Sequence, residues 1–160
     1  MIVVLRLRDG RISVVPEVVD LSQVVGRVLR GFSRELGAPI ELRGRSYAWA
    51  DPMRVRQIVR NLVDNALRYG GDSVHVDLIR DERGSHILVR DDGPGIGDDT
   101  LIDAFQPFHR FGAPSTSPGT LGLGLAVCRT LARLMGGEVG YRRQSGETVF
   151  DLTLPSQPPA

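Results

Sequence analysis

Three groups of residues in this chain have the types and spacing to do chemistry. In RQIVRNLVDNALRYG, residues 56–70, Asn61, Asn65 and Arg68 are separated by four and then three positions, so on a helix they share one face. Amide oxygens suit a hard cation such as magnesium, and a guanidinium suits phosphate oxygens. In Asp91-Asp92-Gly93-Pro94-Gly95-Ile96-Gly97 a carboxylate precedes a run of glycines, which lets the backbone turn sharply and lets a ligand approach closely. A carboxylate there can accept a hydrogen bond from the exocyclic amino group of adenine. Guanine would place a carbonyl at the same point, leaving acceptor facing acceptor. In PGTLGLGLAV, residues 118–127, Gly122 and Gly124 open a helix whose first N–H groups lack internal partners, an anion site suited to a triphosphate. It is not a Walker loop, which needs Gly-Lys-Ser/Thr, and it lacks the third glycine of a dinucleotide fingerprint. Each group also has a plain structural explanation: a solvated polar stripe, an Asx turn, a glycine-rich helix start.

These residues need elements to hold them. Asp51-Pro52 is a helix start, with Asp as N-cap and proline in the first turn. Val55, Ile58, Val59, Leu62, Val63, Ala66 and Leu67 form a broad apolar face, and Gly70-Gly71 is a stop. Asp20 to Gln23 has capping-box spacing ahead of an amphipathic helix that runs to Gly37. Pro39 to Leu42 and Tyr47 to Trp49 are short strands on either side of an Arg-Gly-Arg turn. Val74, Val76 and Leu78, then Ile87 and Val89, alternate as a hairpin with one buried face, running directly into Asp91. A short helix from Asp98 to Phe105 leads to a Gly/Pro/Ser/Thr-rich stretch, Gln106 to Gly119, of a length that suits a lid or binding loop. Leu121 to Met135 is a helix stopped by Gly136-Gly137, followed by strands around Val139-Tyr141 and Thr148-Leu154. The sum is an α+β fold, a two-layer sandwich of a mixed β-sheet packed on helices.

Composition narrows the function. A chain of 160 residues with 41% hydrophobic residues makes one domain with a sizeable core. A net charge of +1 gives no electrostatic reason to expect nucleic acid or an anionic membrane. All 20 basic residues are arginine, which removes lysine Schiff-base chemistry. The single cysteine, Cys128, excludes internal disulfides and lies in an apolar helical run, as a small core residue would. No apolar run approaches the ~20 residues of a transmembrane helix, and Met1 to Leu5 is too short for a signal peptide, so the expected setting is cytoplasmic.

Taken in order, NLVDNALRY, DDGPG, FQPFHRFG and GLGLAV resemble the catalytic ATP-binding domain of bacterial two-component sensor histidine kinases, within the GHKL ATPase superfamily. The resemblance covers Val19 to Pro155. It implies a Bergerat-type ATP-binding fold with a mobile ATP lid. It also implies that Asn65 binds magnesium, with Asn61 beside the phosphates, Arg68 as a phosphate contact and Tyr69 against adenine. Asp91, rather than Asp92, is the implied adenine-reading residue, with Gly93, Gly95 and Ile96 around it. Phe105 and Phe108 resemble lid anchors, and Arg110 the arginine that reaches the γ-phosphate; His109 beside it takes no role. Gly122, Leu123, Gly124 and Leu125 resemble the phosphate-binding helix start. There the chain departs from the family's G-T-G-L-G-L-A: Thr120 stands at the first glycine and Leu121 at the threonine, with Gly119 displaced by one residue.

The cofactors implied are ATP and Mg2+, and the activity is a protein histidine kinase that transfers the γ-phosphate to a histidine on a separate dimerisation domain. Hydrolytic relatives resemble one another in carrying a glutamate general base where this chain has Asn61, which takes no proton. An imidazole is largely neutral near pH 7 and needs less help than water or serine. The acceptor histidine is absent: His75 and His86 are strand residues without its context. The resemblance divides the chain into 1–11, the frayed end of the preceding phosphoacceptor helix or linker, 12–155, the catalytic domain, and 156–160, a disordered tail. Partners are the dimerisation domain and, through it, a response regulator. The isolated domain is expected to be monomeric, and its full-length parent membrane-anchored. The alternative function is a non-catalytic nucleotide-binding regulatory module; an anti-sigma-factor serine kinase fits poorly, because it needs the missing glutamate.

Overall fold

The computed structural model describes residues 3–7, 10–37, 39–97, 105 and 120–159. Its strands are β1 (Val3–Leu7), β2 (Gly10–Val14), β3 (Glu17–Asp20), β4 (Glu41–Arg43), β5 (Tyr47–Ala50), β6 (Val74–Asp81), β7 (Gly84–Asp91), β8 (Glu138–Gln144) and β9 (Glu147–Leu154). Among the described residues there are three helices, α1 (Leu21–Leu36), α2 (Pro52–Tyr69) and α3 (Thr120–Leu134).

Five strands form the main sheet in the order β4-β6-β7-β9-β8, with β1-β2 and β3-β5 as separate antiparallel pairs. β4 runs parallel to β6 and the remaining neighbours are antiparallel, so the sheet is mixed. The helices cover one face, with α2 touching both α1 and α3 as well as β6 and β7. This is the α+β sandwich expected from the sequence.

The start of α2 follows from two residues. Asp51 accepts the Met53 N–H at 3.0 Å, and Pro52 occupies the first turn, where its missing N–H costs nothing. The other oxygen of Asp51 accepts the Val15 N–H at 2.9 Å, so the cap also anchors the chain entering β3. Val55, Ile58, Val59, Leu62, Val63 and Ala66 are buried against the sheet and Leu67 is partly buried. Asp20 caps α1 in the same way, and Gly37 closes it at φ +72°.

Two sequence expectations change. Residues 3–7 and 10–14 are paired strands, from Val3↔Val14 to Leu7↔Gly10, where a frayed helix end was expected. Both runs carry β-branched residues (Val3, Val4, Ile12 and Val14) and flank an Asp-Gly turn signal in the sequence, which outweighs the helical reading. Second, the β6–β7 hairpin does not have one buried face throughout. β7 lies between β6 and β9 and is buried on both faces, His86 and Leu88 included. The short strands expected on either side of the Arg-Gly-Arg turn are present as β4 and β5, which join different sheets. The expected helix from Asp98, apart from Phe105, and the stretch Gln106 to Gly119 lie outside the described residues. No described helix is long and apolar enough to cross a membrane.

Candidate functional site

The site lies where the C-terminal end of α2 meets the C-terminal end of β7. Asp91, the last residue of β7, is 3% exposed. Burial pushes its carboxyl above the usual range, opposed by the Gly93 N–H, which donates to Oδ1 at 2.9 Å, and by the Arg143 guanidinium. Asp91 lines a cavity with Asn65, Gly70, Gly95, Ile96, Thr148 and Phe150. Asp92 points outward, is exposed, and accepts the Ser73 N–H at 3.0 Å while donating its own N–H to the Ser73 carbonyl at 3.3 Å. The two adjacent aspartates therefore divide the work: one faces the cavity and the other clasps the loop that follows α2.

This junction demands glycine. Gly70 is not left-handed (φ −86°); it is needed for room, since a Cβ there would stand 2.8 Å from Asp91 Oδ1. A Cβ on Gly93 would stand 2.6 Å from the Gly70 backbone. The helix end and the strand end thus approach closely enough to share one cavity wall.

Asn65 faces the same cavity from α2. It is 4% exposed, and its Nδ2 is the one buried side-chain polar atom among the described residues without a hydrogen-bond partner. No bond fixes the amide's orientation, so it can present its oxygen by a half-turn about its last torsion. An orphaned buried amide with a free choice of donor or acceptor fits a hard cation or a polar ligand. Asn61, one turn earlier, donates to Cys128 Sγ at 3.6 Å and faces Gly124 of α3. Arg68 pairs with Asp64 at 3.0 Å.

α3 begins at Thr120, two residues before the expected opening glycine. Gly122 and Leu123 are in its first turn; Gly124 and Leu125 are in its second, and the Leu125 side chain is fully buried in the core. Leu125 is thus a packing residue, and the glycine whose neighbour is Asn61 is Gly124. Tyr69 ends α2, but its side chain lies outside the described residues, as do Phe108, His109 and Arg110 entirely. Phe105 packs against the core with the Arg129 guanidinium 5.3 Å from its ring centroid.

Sequence reasoning missed the contribution of the last two strands. Thr148 and Phe150 line the cavity, while Tyr141 and Arg143 hold the Gly93–Ile96 turn from β8. Thr148 had a signal: it is the one polar residue on the strand face that otherwise carries Phe150, Leu152 and Leu154. Cys128 is buried as expected, its thiol pushed up to about 12 by burial.

The α+β sandwich thus gathers a buried carboxylate, an orphaned amide and a glycine-lined junction around one small cavity at the end of a sheet. Comparison with known proteins gives the class. The chain belongs to the histidine kinase-, DNA gyrase B-, and HSP90-like ATPase family, whose model matches residues 50–158. It is 38% identical over 113 residues to the signal transduction histidine-protein kinase AfsQ2 of Streptomyces coelicolor, covering 70% of this chain and 21% of that one. It is 30% identical over 158 residues to the sensor protein KdpD of Escherichia coli, covering 95% of this chain and 18% of that one. Among solved structures, a mycobacterial sensor histidine kinase, MprB, superposes with a TM-score of 0.69 at 27% identity, covering 90% of this chain and 99% of the other. The chain spans about a fifth of the length of the two curated relatives.

Proposed function

We propose that this chain is the nucleotide-binding catalytic part of a sensor histidine kinase and delivers the γ-phosphoryl group of ATP to a histidine on a separate dimerisation domain. The observation that carries this reading is the single cavity in which the buried Asp91 acceptor and the orphaned Asn65 amide meet. Asp91 takes the adenine amino group, and Gly93, Gly95 and Ile96 give the base a backbone-lined edge. Asn65 would hold the magnesium ion together with the phosphates. The ion supplies charge neutralisation for phosphoryl transfer. Asn61, Arg68, Arg110 and the start of α3 at Gly122, Leu123 and Gly124 orient the polyphosphate, and Tyr69 covers the base.

Asn61 supports a histidine acceptor rather than water or serine. Its amide sits where a general base would be required, and it donates to Cys128 instead of accepting a proton. The phosphoacceptor and dimerisation domain, and through it a response regulator, are the partners this chemistry needs. Residues 12–155 carry the catalytic site, and the domain works in the cytoplasm, where ATP is supplied.

Calorimetric titration with ADP and magnesium, with GDP as control, tests the pocket. The wild-type chain is expected to bind ADP and not GDP, and Asp91→Asn to weaken ADP by at least about tenfold through the lost charged acceptor. Radiolabel passing from ATP to an added phosphoacceptor domain, and lost with Asn65→Ala, would establish the transfer. ADP binding with no labelling of any acceptor would remove the kinase reading and leave a nucleotide-binding module.

A further inference from the structure

The turn from Gly93 to Ile96 is held by an edge strand of the main sheet as well as by its own backbone. β8 is that strand, and two side chains from its inner face reach under the turn. Tyr141 Oη accepts the Ile96 N–H at 2.7 Å and is 3.3 Å from the Ile96 carbonyl, to which it donates. Arg143 Nη1 donates to the Gly93 carbonyl at 2.6 Å and to Thr148 Oγ1 at 2.7 Å. Gly95, at φ +81°, rests on both: a Cβ there would stand 2.6 Å from Tyr141 Oη and 2.8 Å from Arg143 Cδ. The Tyr141 ring meets Phe150 edge-on, with centroids 5.2 Å apart, and Phe150 lines the cavity.

None of these contacts is needed to form β8, which already pairs with β9 from Glu138↔Thr153 to Gln144↔Glu147. The contacts fix the turn instead. We propose that Tyr141 and Arg143 are positioning residues of the base pocket, latching the Gly93–Ile96 turn to the sheet edge so that Asp91 and the Gly95 backbone form one rigid, adenine-selective rim. This rests on reading the cavity as a nucleotide site. Neither side chain lines the cavity; both act through the turn and through Thr148, which does.

Arg143 has a second effect through its charge. Asp91 is buried, and the charged groups acting on it are Asp92 and Glu147, which disfavour its ionisation, and Arg143, which favours it. Removing the guanidinium therefore leaves Asp91 facing two negative neighbours with no nearby positive one among those groups, and it protonates more readily.

The test is titration with ADP and magnesium, and with GDP, between about pH 5 and 8, on wild type, Tyr141→Phe, Arg143→Ala and Arg143→Lys, with thermal unfolding in parallel. Tyr141→Phe keeps the ring packing and loses the bond to the turn, so ADP affinity is expected to fall about fivefold. Arg143→Ala is expected to lose about tenfold or more, because a charged donor to two acceptors is removed. Its acid limb of ADP binding moves to higher pH, and its preference for ADP over GDP narrows. Arg143→Lys restores the position of the acid limb through its charge. A purely structural role would lower the unfolding temperature and leave the acid limb and base preference where they are. That outcome, or variants that bind ADP like the wild type, overturns the latch while the nucleotide reading stands. Wild type failing to bind ADP removes both, and is distinguished by needing no variant.

Discussion

At the residue scale, environment separates side chains that the sequence leaves equivalent. Asp91 and Asp92 are adjacent, yet the first is buried against the cavity and the second is a solvent-facing clasp on Ser73. The choice of Asp91 was legible because it precedes the first glycine by two residues in a D-x-G-x-G pattern. The orphaned amide of Asn65 was legible as a candidate only from its helical spacing with Asn61 and Arg68; its lack of a partner depends on what α2 faces. Cys128 shows how far burial alone decides chemistry. With no exposed surface and a thiol pushed up to about 12, it has almost no thiolate near neutrality. A maleimide is expected to modify it at least about a hundredfold more slowly in the native protein than in denaturant, measured by mass, because reaction must wait for opening.

Among elements, α2 was the most legible. Its cap, its proline, its apolar face and its end at Tyr69 follow from Asp51, Pro52, the spacing of Val55 through Ala66, and Gly70. The reason for Gly70 was not legible, because the residue that forbids a side chain there, Asp91, comes from another element. The same limit hid the β8 contribution: Tyr141 and Arg143 reach the turn only because Ser145 (φ +53°) and Gly146 (φ +78°) set the β8–β9 register. α1 gives a contrasting case. Gly31 lies within it, and a Cβ there would meet nothing within 4 Å. Gly31→Ala is expected to raise stability by about 0.5–1 kcal/mol in urea unfolding, from helix propensity alone, with ADP binding unchanged.

Over the whole molecule, the central strand β7 serves both faces of the sheet. Its inner end delivers Asp91, and its outer face buries His86 at 1% exposure between Asp81 (2.8 Å from Nε2) and Asp151 (2.9 Å from Nδ1). With a carboxylate at each ring nitrogen, the protonated ring donates from both nitrogens. Burial opposes that charge, but the bonds to Asp81 and Asp151 outweigh it and hold the group above its ordinary value. The stabilisation is therefore complete below the unfolded-state value near pH 6.5 and fades as pH rises through the higher folded-state value. His86→Gln is expected to cost about 2 kcal/mol at pH 6, and less at pH 9, by urea unfolding at the two pH values. A gap that stayed constant with pH would show that the ring is neutral. Nothing in the sequence marked this histidine, since Asp81 and Asp151 are its neighbours only through the hairpin turn and the β7–β9 pairing.

The dependence of the pocket rim on β8 ties ligand occupancy to the breathing of the sheet. β8, like β4 at the opposite edge, has a neighbour on one side only, so it can fray without separating the other strands of the main sheet. When it lifts away, Tyr141 and Arg143 leave with it and the turn loses its support from below. Fraying of the edge and collapse of the rim are then a single excursion, and a ligand that grips the rim suppresses both in proportion to its own occupancy.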